Sequence, residues 1–181
     1  MPRGGGEGGS AAPRRHILEV AQLMEVIDSQ DVEYVIIGGF AVSAHGYPRA
    51  TKDIDICPSP KKSNLTKLAA ALEELEATPM SLEEFAGEFE LLPDLKGLQQ
   101  GGNWVLITKH GRLDVMQSFS FESEDELGDY NDIALHAVDR DFYGTTRRFV
   151  GYEDLLAMKR AAGRDQDQID IRSLKQARRE L

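Results

Sequence analysis

The sequence predicts an α/β protein, a small mixed β-sheet of about four or five strands flanked by helices and extended by a C-terminal helical segment. Three observations carry this. Short apolar runs with strand character alternate with stretches whose apolar residues recur at helical spacing. Two glycines, Gly38 and Gly39, mark a switch from strand to helix. Residues 152–181 carry two amphipathic patterns and no strand signal. With 181 residues the chain is long enough for one substantial core and short for two.

Residues 1–15, MPRGGGEGGSAAPRR, read as a disordered Gly-rich leader without the apolar core of a signal peptide, and 16–181 as a single domain. Over 16–30, Ile17, Val20, Leu23, Met24 and Ile27 fall on one helical face. EYVIIGG is a short buried strand ending in a turn, GFAVSAHG a tightly packed helix, and TKDIDIC a second strand. Ser63 is the expected cap of a helix carrying Leu65, Leu68, Leu72 and Leu75, which Pro79 prevents from continuing. Ser81 and Glu84 have the spacing of a capping box for a short acidic helix, followed by the weakly patterned LLPDLKGLQQGG. NWVLITKHGRLDVMQSF alternates on both sides of a His110–Gly111 turn, as a hairpin does. Residues 120–141 are acidic and carry no clear pattern. RRFVG reads as a last strand. Two helices follow from about residue 152, and Gly163 ends the first of them.

Composition excludes several classes. Acids outnumber bases 31 to 21, a net charge of −10, so the overall field does not favour adhesion to nucleic acid or to an anionic membrane. The longest apolar stretch, YVIIGGFAVSA, falls far short of the roughly 20 residues of a membrane span. Cys57 is the only cysteine, which excludes an internal disulfide and a cysteine zinc cluster and suits a cytoplasmic protein.

The chemistry concentrates in KDIDI. Side chains alternate along a strand, so Asp53 and Asp55 share one face about 7 Å apart while Ile54 and Ile56 anchor the other. Two such acids raise each other's proton affinity unless a cation neutralises them, and carboxylate oxygens suit a hard ion such as Mg²⁺. Asp114, between Leu113 and Val115, repeats the pattern. If its strand lies beside the first, three carboxylates converge, enough to hold two ions roughly 4 Å apart for phosphoryl transfer. Gly38 and Gly39 open a helix where backbone N–H groups can receive phosphate without a Cβ in the way. Arg49, just before the acids, is in reach of phosphate, although a charged strand entry also suits plain solvation. DIDICPSPKKSN does not fit a calcium loop, because Pro58 falls near the position that requires glycine. A glycosyltransferase with an Asp-x-Asp motif would need a larger donor domain ahead of it.

IIGGFAVSAHG, RATKDIDI and RLDV together resemble the DNA polymerase beta-like nucleotidyltransferase superfamily in its minimal bacterial form. EDLLAMKRAAGRDQDQIDI is similar to the helical segment of abortive-infection-type nucleotidyltransferases, some of which are toxins of toxin–antitoxin pairs. The resemblance spans residues 34–174 apart from about 79–102, and departs from the usual Arg-x-Lys-Asp at the uncharged Gln166. It implies a nucleotidyltransferase fold in which Gly38 and Gly39 hold the triphosphate of an NTP such as ATP. Asp53, Asp55 and Asp114 would hold Mg²⁺, two ions once nucleotide is bound. Asp114 would activate the acceptor hydroxyl, and Lys159 would meet the phosphates. Transfer RNA, a protein hydroxyl and a small molecule such as an aminoglycoside all fit as acceptor, and an antitoxin as partner. The alternative is a catalytically silent nucleotide- or partner-binding module of a two-component system.

Overall fold

The computed structural model describes residues 17–80, 92–119 and 129–180. The elements in chain order are α1 (Val20–Ser29), β1 (Tyr34–Ile36), α2 (Gly38–Ala44), β2 (Asp53–Pro58), α3 (Lys62–Glu74), β3 (Thr78–Pro79) and α4 (Leu95–Gln99). They continue with β4 (Asn103–Thr108), β5 (Gly111–Met116), α5 (Tyr130–His136), β6 (Val138–Phe142), β7 (Thr145–Phe149), α6 (Tyr152–Ala162) and α7 (Asp165–Arg179). The strands form one mixed sheet of seven in the order β3-β4-β5-β2-β1-β7-β6.

The α/β class is as the sequence predicts, but the sheet is wider than four or five strands. One addition is β3, where Pro79 serves as an edge residue beside β4, a position in which its missing N–H costs nothing. The other is β6, which pairs with the expected last strand β7 and whose sequence VDRDF is too polar to show an alternating pattern. Residues 129–141 thus hold a helix and a strand; α5 is capped by the Asp129 carboxylate, which accepts from Asn131 N–H at 2.7 Å. LLPDLKGLQQGG holds α4, capped by Asp94 through Gly97 N–H at 2.8 Å. Ser63 is not the cap expected of it. It lies within the first turn of α3, and Lys61 occupies the cap position without a side-chain bond. The turn of the β4–β5 hairpin is Lys109–His110, with Gly111 already paired in the strand. The expected Ser81–Glu84 capping box lies outside the described residues.

The core runs through both central strands and the inward faces of the helices: Ile54, Ile56, Leu113 and Val115 from the sheet join Leu23, Met24 and Ile27 of α1 and Leu65, Leu68 and Leu72 of α3. β1 pairs antiparallel with β2 and parallel with β7, where Ile36 stands opposite Phe149. Phe149 is 1% exposed and meets the Phe142 ring edge-on at 5.3 Å. Phe149→Ala should therefore cost about 3–5 kcal/mol of unfolding free energy in urea denaturation, through the cavity left where the two halves of the sheet join.

Candidate active site

β2 and β5 run parallel, with Asp53 opposite Arg112, Ile54 opposite Leu113, Asp55 opposite Asp114 and Ile56 opposite Val115. The side-chain alternation then puts Asp53, Asp55, Arg112 and Asp114 on one face of the sheet. Ile54, Ile56, Leu113 and Val115, all 0% exposed, fix the opposite face in the core. The three expected carboxylates thus come together by strand register.

The Gly38–Gly39 turn is pressed onto this cluster. Gly38 has φ +64°, and a Cβ there would lie 2.0 Å from Asp55 Oδ2, so both conformation and space demand glycine. Gly39 donates its backbone N–H to the Asp55 carboxylate. A Cβ on Gly39 would meet Thr51 Oγ1 at 2.6 Å and Arg49 Nη2 at 3.2 Å. Thr51 in turn donates to Asp53 Oδ1 at 3.0 Å. The glycines are thus required by the protein's own packing before any ligand arrives.

Burial, followed by repulsion from Asp53 and Asp114, pushes the Asp55 carboxyl up to about 6. Burial raises Asp114 as well, against the opposing pull of Arg112. Arg112, which the sequence reading passed over, donates to Asp114 through Nε at 2.9 Å and Nη2 at 2.8 Å, and its Nη1 lies 3.5 Å from Asp53 Oδ2. Its signal was available: Arg-x-Asp on a strand places both side chains on one face.

Arg49 and Lys159 belong to a second, buried ionic network. Lys159, 5% exposed on α6, lies 2.8 Å from both Asp167 and Asp170 of α7, themselves 0% exposed. Arg49 lies 2.9 Å from Asp170 and Arg164 2.7 Å from Asp167. Burial disfavours the charge of Asp167 and Asp170, but their cationic partners outweigh it and hold both carboxyls below the usual range. Gln166 donates to Asp170 at 2.9 Å, a neutral partner in a network already rich in cations. The buried side of α6 is where Lys159 is expected; its ammonium is occupied by two aspartates. The more exposed cation beside the acids is Arg164, whose charge is felt by Asp55 and Asp53. A cavity of about 70 Å³ lies between the two clusters, walled by Gly38, Asp55, Met116, Phe119, Met158 and Lys159 among others.

The donor set suits a hard divalent ion: three carboxylates, one driven toward protonation by burial and then by the other two. Among the described residues no group of three or more His, Cys, Asp or Glu is arranged to hold a metal as it stands. In this cluster the Arg112 guanidinium faces both oxygens of Asp114.

Two measurements check these assignments. Asp55 binds its proton more tightly in the folded than in the unfolded chain, so it stabilises the fold fully below its ordinary value near 4 and loses that contribution as pH rises toward 6. Metal-free Asp55→Asn should flatten this decline and be more stable at pH 7 by about 2 kcal/mol, read from thermal melts across pH 4–7. Lys159→Met, by contrast, removes the one cation shared by two buried carboxylates, leaving Asp167 to Arg164 and Asp170 to Arg49, and should cost about 3 kcal/mol in chemical denaturation.

A family model for a "Nucleotidyltransferase of unknown function (DUF6036)" matches residues 15–178. No curated protein matches the sequence. Among solved structures, the lincosamide antibiotic adenylyltransferase LnuA superposes with a TM-score of 0.55 at 18% identity, covering 88% of this chain and 98% of its own. A nucleotidyltransferase from Thermotoga maritima gives 0.54 at 15% identity, with 90% and 97% covered. The antibiotic-resistance factor ANT(2'')-Ia gives 0.51 at 16% identity, with 87% and 81% covered. At these identities the structures share the fold, and the family match extends over nearly the whole described domain: the chain is a nucleotidyltransferase of the DUF6036 family.

Proposed function

We propose that the protein transfers a nucleoside monophosphate from an NTP, ATP foremost, to a hydroxyl of a small antibiotic-like molecule in a Mg²⁺-dependent reaction. The observation that carries this reading is the placement of Asp53, Asp55 and Asp114 on one face of two adjacent strands, directly under the Gly38–Gly39 turn.

Magnesium, when bound, would offset the acids and polarise the reacting phosphate. Asp53, Asp55 and Asp114 would hold it. Asp114 lies across the strand pair from Asp55 and accepts the proton of the acceptor hydroxyl. The hydroxyl oxygen then forms its bond to the α-phosphorus as the bond to pyrophosphate breaks. The glycine turn lets the phosphates approach the backbone, with Arg49 beside it. Arg164 supplies the exposed positive charge that offsets them. Lys159 supports this arrangement from below by neutralising Asp167 and Asp170, so that the start of α7 holds Arg164 over the cleft.

The acceptor side is favoured as a small-molecule surface by the strand next to Asp114. Val105 stands opposite Asp114 and Ile107 opposite Arg112, so this face of β4 is uncharged and is apolar beside the acids up to Asn103, and Val105 is 38% exposed. A net charge of −10 works against a nucleic-acid acceptor and in favour of a cationic one. The fold shared with a lincosamide antibiotic adenylyltransferase and with an antibiotic-resistance factor supports the same class. A toxin-type enzyme with an antitoxin partner would use the same carboxylates on transfer RNA or a protein hydroxyl.

Incubation with Mg²⁺ and α-labelled ATP in the presence of aminoglycosides, lincosamides, transfer RNA or cell protein tests the reading. Label should move to a small molecule with release of pyrophosphate, and Asp114→Asn should lower kcat by about 10²–10⁴-fold. Label on RNA or protein would replace this acceptor by the toxin-type one. Nucleotide binding without turnover on any acceptor would mean a silent module.

A further inference from the structure

Among the described residues, Arg112 is the one cation that touches the carboxylate cluster from within the same sheet. It reaches both oxygens of Asp114 in a fork, 2.9 and 2.8 Å away, and its third nitrogen lies 3.5 Å from Asp53. Register forces the position, because Arg112 stands opposite Asp53 and two residues before Asp114 on the same face. The guanidinium therefore grips Asp114, at oxygens that a divalent ion would otherwise take, and lies near Asp53. It is not locked there: its side chain is 34% exposed, against 6% for Lys159 in the buried network. A planar fork on a carboxylate is a strong pair, yet one at a partly open surface can exchange for a doubly charged ion.

We infer that Arg112 is a built-in counter-cation that competes with the divalent ion for Asp114 and must swing off that carboxylate for the ion to bind. The inference rests on the metal-dependent reading of this site. It makes Arg112 a positioning residue that acts through Asp114. In the ion-free protein it relieves the repulsion among the three acids and occupies the Asp114 oxygens that would take the hydroxyl proton. Arrival of the ion with its nucleotide releases Asp114, so the base becomes available only when the donor is in place. Its partner in the competition is Asp114 alone, because contact with Asp53 is long and Asp55 is served by Gly39 N–H.

The test is calorimetric titration of the whole protein with Mn²⁺ in the absence of nucleotide, for the wild type, Arg112→Gln and Arg112→Lys. Arg112→Gln should bind Mn²⁺ roughly tenfold tighter, the loss of one competing charge-assisted pair. Arg112→Lys keeps the charge without the fork and should fall between, which guards against a folding defect in the glutamine variant. The ion-free Arg112→Gln protein should melt below the wild type, and saturating Mn²⁺ should close the gap. Wild type and Arg112→Gln binding Mn²⁺ equally, or the variant binding more weakly, would overturn the competition while leaving the metal site intact. No Mn²⁺ binding by any of the three would overturn the metal-dependent reading and this inference with it.

Discussion

Mutual repulsion among Asp53, Asp55 and Asp114 is the constraint to which the surrounding structure answers. Bringing three carboxylates onto one sheet face is unfavourable, and each neighbour offsets part of that cost. Gly39 N–H serves Asp55, Thr51 serves Asp53 and Arg112 serves Asp114. Gly38 must be glycine because Asp55 fills the space a side chain would use. The parallel pairing of β2 with β5 is what imposes the cluster, and the apolar residues alternating with the acids hold that pairing in the core. Packing on one face of the strands thus stabilises the unfavourable arrangement on the other.

The second ionic network ties the C-terminal helices to this site. Lys159 and Arg49 meet the α7 carboxylates in the interior, so α6, α7 and the segment leading into β2 share one set of charges. Buried ion pairs add little to stability compared with an apolar core of equal volume, but they define geometry sharply because a misplaced partner strands a charge. Here the geometry defined is the position of Arg164, which lies at the start of α7 and is anchored through Asp167.

The site was more legible in the sequence than the sheet was. Alternation of Ile and Asp in DIDI fixes a shared face regardless of tertiary context, and Leu113-Asp114-Val115 repeats it, so the three acids could be read directly. The edge strands could not: β3 is two residues ending in proline, and β6 carries three charged residues, so neither shows an apolar period. The α7 aspartates were hidden for the opposite reason. Asp167 and Asp170 occupy the stripe completed by Ile171 and Leu174, where an amphipathic pattern leads one to expect apolar residues. Their presence in that stripe was the available sign that a cation would be buried against them. Lys159 was correctly placed on the inner side of α6, but its partners came from another helix, which sequence spacing does not reveal.

The division of cations between the two networks follows from their chemistry. Lysine sits in the interior, where a compact ammonium can meet two carboxylates at 2.8 Å at once. Arg49 joins it on Asp170 at 2.9 Å, while Arg112 and Arg164 sit at more open edges, where a planar fork can grip a carboxylate and still turn toward water. The cation shared by two carboxylates is thereby buried, and the arginines beside the three acids are left partly exposed. Since the acids need counter-charge in every state, exchanging one cation for another costs less than creating a bare cluster. The protein therefore holds its three carboxylates on one face by strand pairing and by the counter-charges around them.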